Sequence, residues 1–110
     1  MITGLDHVQL AAPPHCEDAA RAFYGDILGL AEIEKPPELA KRGGVWFEHV
    51  HVGVEDPFTP ARKAHPALRV DDLDALAARL EEVTWDEAIR GVRRFYSTDP
   101  FGNRLEFLEH

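Results

Sequence analysis

Three histidines and one glutamate, spread widely along the chain, are the residues whose types and positions suit metal chemistry. His7 and His65 each lie at the start of a predicted strand, and His51 and Glu106 lie in the last strand of each half. The separations are similar, with 44 residues from His7 to His51 and 41 from His65 to Glu106. Imidazoles with one carboxylate suit Zn, Ni, Fe or Mn, whereas Ca and Mg prefer oxygen ligands. We therefore predict that these four side chains bind one divalent metal.

Each candidate ligand also has a structural interpretation. A single histidine at a strand start is more often a hydrogen-bonded structural residue than a ligand, and Glu106 is equally compatible with a solvated carboxylate paired with Arg104. No short local spacing such as His-Glu-x-x-His supports the site. The metal hypothesis therefore depends on the joint placement of the four residues. A bound metal would act as a Lewis acid or would activate a bound water.

Polar and apolar side chains alternate along four predicted strands, and this period of two is typical of half-buried strands. The apolar positions are Val8, Leu10, Val50, Val52, Val54, Leu68, Val70, Leu105 and Phe107. The opposite positions are His7, Gln9, His49, His51, His65, Arg69, Arg104 and Glu106. If two sheets curve together with their helices outside, the polar groups converge on one cavity. Trp46 is predicted to lie in the core or in the wall of that cavity.

The predicted elements follow the same order in both halves of the chain. The first half has strands at 5–11, 30–34, 45–47 and 49–55, the last two of which are also compatible with one long strand, and a helix at about 16–28. The second half has strands at 65–70, 84–87, 93–98 and 104–108, and a helix from Asp71 or Asp72 to about Glu82. This repetition predicts two copies of one unit. We expect a single domain over 1–110, with module one at about 1–56, a linker at 57–62 and module two at about 63–110.

Both predicted helices carry an apolar stripe at three- and four-residue steps. The stripes are Ala19, Ala20, Phe23 and Ile27 in the first helix, and Leu73, Leu76, Ala77 and Leu80 in the second. Gly29 is predicted to end the first helix, and Asp71 or Asp72 is predicted to cap the second.

The composition narrows the classes of function. The 110 residues carry a net charge of −8, which argues against a nucleic-acid surface because phosphate binding needs clustered basic residues. The single cysteine, Cys16, forms no intrachain disulfide and suits a reducing compartment. No apolar run approaches the ~20 residues of a membrane span, and no signal peptide is evident. We therefore expect a cytoplasmic protein with no nucleic-acid or membrane partner. The segment 108–110 suits either a native terminus or the start of a tag, so His110 is not counted as a ligand.

Three motifs resemble those of the vicinal oxygen chelate superfamily. They are Gly-Leu-Asp-His-Val at 4–8, Phe-Tyr-x-x-x-Leu-Gly-Leu at 23–30 and Asp-Pro-x-Gly-Asn-x-Leu-Glu at 99–106. The superfamily includes glyoxalase I, fosfomycin-resistance thiol transferases, extradiol dioxygenases, methylmalonyl-CoA epimerases and bleomycin-resistance proteins. The resemblance covers essentially the whole chain. It implies an α+β fold in which two βαβββ modules form curved mixed sheets around a central cavity, with helices outside.

The resemblance also implies roles for individual residues. His7, His65 and Glu106 match the two-His, one-Glu ligand set of the thiol transferases and dioxygenases. His51 departs from the pattern, because glyoxalase I carries a carboxylate ligand there that also serves as a base, so ordinary glyoxalase I activity is not expected. Tyr96 lies where related enzymes place a hydroxyl that faces the substrate. Members of the superfamily commonly dimerise, and we expect a homodimer.

Three functional hypotheses follow. The first is a small metal-dependent lyase, thiol transferase or dioxygenase, in which the metal chelates neighbouring oxygens of a small substrate and stabilises an oxyanion. Its substrate would be oriented by Gln9, Arg69 or Arg104. The second is a non-catalytic drug-binding protein of the bleomycin-resistance type, whose acidity would suit a cationic ligand. The third is a metal-free member whose histidines are structural.

Overall fold

The computed structural model contains two four-stranded sheets, one in each half of the chain. The structure describes residues 1–109, and His110 lies outside the described residues. The chain divides into two units, Met1–Pro60 and Ala61–His110. This division falls inside the segment 57–62, where the sequence predicts a linker.

The first unit holds one sheet and two short helices. Its elements are β1 (Val8–Ala12), α1 (Glu17–Ala20), which continues as a π-helix (Arg21–Ile27), β2 (Glu32–Ile33), α2 (Pro37–Ala40), β3 (Val45–Phe47) and β4 (Val50–Val54). The strand order is β1-β4-β3-β2. Strand β1 runs parallel to β4, and the other neighbouring strands are antiparallel.

The second unit repeats this arrangement. Its elements are β5 (Ala67–Arg69), α3 (Leu73–Ala77), β6 (Thr84–Asp86), β7 (Arg93–Thr98) and β8 (Arg104–Glu109). The strand order is β5-β8-β7-β6, and β5 runs parallel to β8. The predicted α+β class and the duplication of a βαβββ module are therefore confirmed.

The parallel pairing of the first and last strands of each unit has a consequence for the candidate ligands. In the register of the first unit, Val8 lies opposite Val50 and Gln9 lies opposite His51. In the second unit, Ala67 lies opposite Glu106. Directly opposed residues point to the same face of a sheet. Polar groups that are about 40 residues apart in sequence therefore become neighbours within each unit.

The apolar parity predicted from sequence forms the core of each unit. Leu10, Val50 and Val52 are buried in the first unit, and Leu105 and Phe107 are buried in the second. Burial of such side chains contributes roughly 1.5–3 kcal/mol each. The polar side chains that alternate with these apolar ones lie on the opposite face of each sheet.

Several predicted strands are shorter in the structure. The strand predicted at 5–11 begins only at Val8, because its partner β4 begins at Val50. Before that point His49 adopts a φ of 71°, which no extended strand contains. This turn confirms two separate strands over 45–55, and the single long strand is wrong. The strands predicted at 30–34 and 65–70 are reduced to Glu32–Ile33 and Ala67–Arg69.

The helices also differ from the predicted ones. The segment 16–28 is helical, with an α-helical start and a π-helix over Arg21–Ile27. The buried side chains are those of Cys16, Ala20, Phe23 and Tyr24, which follow three- and four-residue steps. The predicted apolar stripe was therefore wrong at Ala19, which is exposed, and it omitted Tyr24, which is fully buried. Gly29, with a φ of 78°, follows the helix end as predicted. The second helix ends at Ala77 rather than near 82, because the chain already turns toward β6.

Local side-chain contacts fix the helix starts and turns. The Asp72 carboxylate accepts a hydrogen bond from the Ala75 backbone N–H at 3.0 Å, so Asp72 is the cap of α3. In the turn before β8, the Asp99 carboxylate accepts from the backbone N–H groups of Phe101 and Asn103 at 2.9 Å. These contacts define where α3 and β8 begin. None of the helices over residues 1–109 is both long and apolar enough to cross a membrane.

Candidate metal centre

Two of the four predicted ligands meet in the first unit. The imidazole rings of His7 and His51 are stacked, with centroids 3.9 Å apart and planes 15° from parallel. The opposite face of the His51 ring is covered by the Trp46 indole at 4.1 Å. His51 is thus held between two rings, because Trp46 is its direct cross-strand neighbour on β3. Trp46 is half-buried and lies on the same face of the sheet as His51.

The tautomer of His7 is set by its neighbour in sequence. Its Nδ1 atom lies 2.8 Å from a carboxylate oxygen of Asp6, which can only accept a hydrogen bond. Nδ1 therefore carries the proton and donates it to Asp6. In the neutral ring this leaves the Nε2 lone pair available, as in metal-bound histidines whose other nitrogen donates to an oxygen.

His51 is the more buried member of the pair, with 7% of its surface exposed. Burial lowers its pKa, and the positive charges that His7 and Lys35 can carry lower it further, whereas Asp6 opposes the change. The ring is therefore neutral at neutral pH. Within residues 1–109 its nitrogens make no hydrogen bond, and its contacts are the two ring stacks.

Gln9, on β1, lies opposite His51 on β4, so its side chain is on the same face of the sheet as His51. A Cβ atom placed on Gly53 would lie 2.7 Å from the Gln9 side-chain nitrogen. The amide of Gln9 thus occupies the space that the missing side chain leaves. Gly53 is needed for this close approach and positions Gln9 beside His51.

The other two predicted ligands meet in the second unit. The Nε2 atom of His65 lies 3.0 Å from Glu106 Oε1, and the His65 Nδ1 atom lies 2.8 Å from the Lys63 carbonyl oxygen. Because the carbonyl only accepts, Nδ1 carries a proton. In the neutral ring, Nε2 and the carboxylate oxygen would then both be acceptors. This contact is favourable only when a second proton or a cation lies between the two atoms.

Glu106 is held from its other side by Arg94. The Arg94 Nη1 atom donates to Glu106 Oε2 at 3.1 Å. Burial by itself would raise the pKa of Glu106, but the hydrogen bonds from His65 and Arg94 lower it below the usual value. The side chain, 12% exposed, is therefore an anion at neutral pH.

Tyr96 and Arg104 complete the polar face of the second sheet. Tyr96 lies opposite Glu106 in the antiparallel pair β7 and β8. Its ring is covered by the Arg104 guanidinium, with 4.1 Å between the guanidinium carbon and the ring centroid, and it makes an edge contact with His65. The guanidinium of Arg104 makes no hydrogen bond or ion pair within residues 1–109. Its N–H groups remain free to bind an anionic ligand.

Arg69 is the least defined of the predicted substrate-binding residues. It is exposed on β5 opposite Leu108, and no hydrogen bond holds its guanidinium among the residues described here. His49 is a turn residue, as its φ of 71° shows. Neither unit, over the described chain, brings three His, Cys, Asp or Glu side chains together for a metal. Each unit instead contributes one pair: His7 with His51, and His65 with Glu106.

Sequence reasoning missed Arg94, which contacts more of the site than any predicted substrate-binding residue. Its guanidinium reaches Tyr96, Glu106 and Asp86 at 2.7, 3.1 and 3.1 Å. The sequence contains one signal for Arg94. Arg94 and Tyr96 alternate with the buried Phe95 along β7, which places both on the polar face of the strand. The pairing of Asp86 with Arg94 depends on the register of β6 and was not accessible from sequence.

The fold and these paired ligands define a class that comparison with known proteins identifies. Residues 4–107 match the family model of the Glyoxalase/Bleomycin resistance protein/Dioxygenase superfamily. The chain therefore belongs to this superfamily, as the sequence motifs predict. No curated protein shows significant sequence similarity to the chain.

Solved structures support the same assignment. A protein from Bacillus anthracis assigned to the glyoxalase family is 52% identical, with a TM-score of 0.94 over 100% of this chain and 97% of the other. Lactoylglutathione lyase from Agrobacterium tumefaciens is 25% identical, with a TM-score of 0.69 over 98% and 94%. A mutant of the fosfomycin resistance protein FosX from Listeria monocytogenes, complexed with Mn(II) and 1S,2S-dihydroxypropylphosphonic acid, is 20% identical, with a TM-score of 0.78 over 99% and 93%. That last similarity concerns the fold alone.

Proposed function

We propose that the protein is a metal-dependent enzyme of the glyoxalase and dioxygenase type, in which His7, His51, His65 and Glu106 bind a divalent transition metal. The contact between His65 Nε2 and Glu106 Oε1, 3.0 Å apart, carries this proposal. The same contact forms as an ion pair when Nε2 carries a proton, and without that proton the two atoms are close enough to bind one metal ion. His65 Nδ1 donates to the Lys63 carbonyl oxygen, and metal-binding histidines usually donate their other ring nitrogen to an oxygen in this way.

The first unit supports the proposal independently. His7 donates its Nδ1 proton to Asp6, and His51 is kept neutral by burial. His7 therefore directs its Nε2 atom away from Asp6, and the His51 ring is in the neutral form that ligation requires. Within the described residues, each unit supplies one pair of these candidate ligands.

The donor set fits a transition metal better than Ca or Mg. Three imidazole nitrogens and one carboxylate suit Zn, Ni, Fe or Mn. When bound, such a metal supplies Lewis acidity toward two neighbouring oxygens of a small substrate. The similarity to the lactoylglutathione lyase from Agrobacterium tumefaciens, at 25% identity, supports a small substrate of this kind.

The remaining side chains of the two polar faces would bind and orient that substrate. Arg104 offers free N–H donors to an anionic group, and its guanidinium is held flat by the Tyr96 ring. Gln9 offers a neutral amide beside His51, and Trp46 supplies an apolar wall. Arg69, exposed at the sheet edge, would act at longer range on an anion.

Metal analysis of untagged protein tests the proposal. We expect about one equivalent of metal per chain after loading with Mn, Fe, Ni or Zn, and its loss in His7→Ala and Glu106→Ala. A polyhistidine tag must be removed because it binds the same metals. Absence of metal under every loading condition would contradict the proposal. Loaded protein should then be screened with hemithioacetals, catechols and fosfomycin.

His51 needs a separate variant, because glyoxalase I has a carboxylate at this position. His51→Ala should weaken metal binding if the ring is a ligand. His51→Glu should retain metal and would restore a carboxylate that could serve as a base. If metal affinity is unchanged in both variants, His51 is not a ligand and only the other three residues form the site.

A non-catalytic binding protein of the bleomycin-resistance type is the second candidate. The stack of His7, His51 and Trp46 is the observation that favours it, because flat aromatic surfaces bind planar ligands. The net charge of −8 would suit a cationic ligand. Tight binding of a planar cation by metal-free protein, with no turnover under metal loading, would select this alternative.

We also infer a homodimer in a reducing, cytoplasmic compartment. Trp85 and Ile89, exposed by 45% and 50%, are apolar side chains that an interface would cover. Light scattering after gel filtration tests the dimer. Mixing the variants His7→Ala and Glu106→Ala then asks where the site forms, because metal binding reappears on mixing only if the two pairs come from different chains.

A further inference from the structure

Arg94 is a buried cation that the proposed binding of metal and substrate leaves without a role. Only 7% of its surface is exposed, yet its Nε atom has no hydrogen-bond partner within residues 1–109. A buried guanidinium with an unsatisfied N–H stabilises a fold poorly, and an apolar residue would often serve as well. Such a departure from good packing is expected where a residue serves function.

The contacts of Arg94 converge on the polar face of the second sheet. Its Nη1 atom donates to Tyr96 Oη at 2.7 Å and to Glu106 Oε2 at 3.1 Å. Its Nη2 atom lies 3.1 Å from Asp86 Oδ1, on the neighbouring strand β6. A single planar group thus connects three strands of the sheet. The ion pair with Asp86 holds the guanidinium from the side of strand β6.

This bridge constrains both acceptors. Glu106 Oε2 is occupied by Arg94, so Oε1 is the oxygen that faces His65. The Tyr96 oxygen already accepts from Arg94, so its hydroxyl proton must point elsewhere. Within the described residues Tyr96 has no acceptor for that proton. Tyr96 is thereby prepared as a hydrogen-bond donor to a ligand.

We propose that Arg94 is a positioning residue, which holds Glu106 Oε2 so that Oε1 is the oxygen that would be available to a metal, and which directs the Tyr96 hydroxyl proton toward the substrate. The part that concerns the metal rests on the proposed function. The part that concerns the orientation of the two side chains does not, because it describes the metal-free protein. A lysine cannot replace this arginine, because its ammonium is not a planar fork with two parallel donors.

The test compares Arg94→Met and Arg94→Lys with Arg93→Met as the matched control. Arg93 is the neighbouring residue on β7, but it is exposed and pairs with Asp74 at 2.8 Å on the other face. Crystal structures of the metal-free variants should show the Glu106 carboxylate rotated away from His65 in both Arg94 variants, and unmoved in the control. An unmoved Glu106 and Tyr96 in the Arg94 variants would overturn the proposal. If Arg94→Met fails to fold, Arg94→Lys decides, because it retains the charge and most of the volume.

Metal affinity provides the second measurement. Titration with Mn²⁺, followed by its electron paramagnetic resonance signal, should show binding about 10–100-fold weaker in Arg94→Met, as expected for an outer-shell partner, and a smaller loss in Arg94→Lys. Wild-type affinity in both variants would overturn the role toward the metal. If the wild-type protein itself binds no Mn²⁺ or other metal, the proposed function fails, and the crystal structures still decide whether Arg94 positions the two side chains.

Discussion

Replacing Glu106 by glutamine should separate metal binding from fold stability. The amide of Glu106→Gln has nearly the same shape as the carboxylate, but it is neutral and carries N–H donors. Its oxygen can still accept from Arg94, and its nitrogen can donate to the Nε2 lone pair of His65. The contact of 3.1 Å therefore joins a charged guanidinium to a neutral amide, and the contact of 3.0 Å becomes a neutral hydrogen bond.

The magnitude follows from those two contacts. The ion pair with Arg94 becomes a hydrogen bond with one charged partner, and the contact with His65, which is ionic when Nε2 carries a proton, becomes a neutral hydrogen bond. Hydrogen bonds with a charged partner contribute about 1.5–3 kcal/mol and neutral ones about 0.5–1.5, so each weakening costs about 1 kcal/mol. Glu106 is only 12% exposed, so screening by solvent is small. We expect a loss of about 2 kcal/mol, or about 8 °C in Tm for a domain of this size. Glu106→Ala should cost roughly 3 kcal/mol, because the buried Arg94 guanidinium loses one of its two carboxylate partners and the side chain of Glu106 leaves a space.

The assay combines thermal unfolding of metal-free protein with Mn²⁺ titration. Glu106→Gln should lose at least about 100-fold in metal affinity, since removing a ligand exceeds the effect of removing an outer partner. Glu32→Gln is the control, because Glu32 pairs with Arg21 at 2.9 Å on the surface, where an ion pair contributes at most about 1 kcal/mol. Wild-type metal affinity in Glu106→Gln would refute its role as a ligand. A loss of stability equal to that of Glu106→Ala would refute the assigned His65 tautomer.

Three further predictions concern the first unit. Gly53→Ala should displace the Gln9 side-chain amide, whose nitrogen lies 2.7 Å from the new Cβ, and should shift the NMR signal of that amide. The stability should change by no more than about 1 kcal/mol, because the Gln9 side chain is flexible. An unshifted signal would contradict the packing. Burial and the Glu17 charge raise the pKa of the Cys16 thiol, so native protein should react slowly with a thiol reagent at pH 8 and completely after unfolding, and equal rates would be the contrary result. The Gly44 N–H lowers the pKa of Glu17, so the stability difference between wild type and Glu17→Gln should be full above about pH 4.5 and disappear as pH falls through the lower folded-state pKa. Denaturant unfolding between pH 7 and pH 3 measures this difference, and a constant difference would refute the assignment.

The sequence determined the duplicated α+β fold because local and periodic signals agree in both halves. The alternation of polar and apolar residues along segments such as 50–54 and 104–108 predicted which face of each strand is buried. The motif at 99–106 predicted the turn and the start of the last strand. Helix geometry was less predictable. Ala19 and Tyr24 each lie next to the buried positions Ala20 and Phe23, so the helical period alone does not say which of them is covered. Packing decides it, because the Tyr24 ring contacts Phe47 on β3 and Ala19 stays exposed.

The candidate ligands were found from sequence because each falls on the polar parity of a strand. Their pairing was decided by the parallel alignment of first and last strands, which brings His7 to His51 and His65 to Glu106. Arg94 escaped prediction because two of its three partners, Asp86 and Glu106, lie on neighbouring strands whose registers the sequence does not encode locally. Sequence therefore determined which residue types face away from the core. The tertiary structure alone decided which of them touch, because hydrogen-bond partners and histidine tautomers depend on atoms that only strand pairing brings within 3 Å or so.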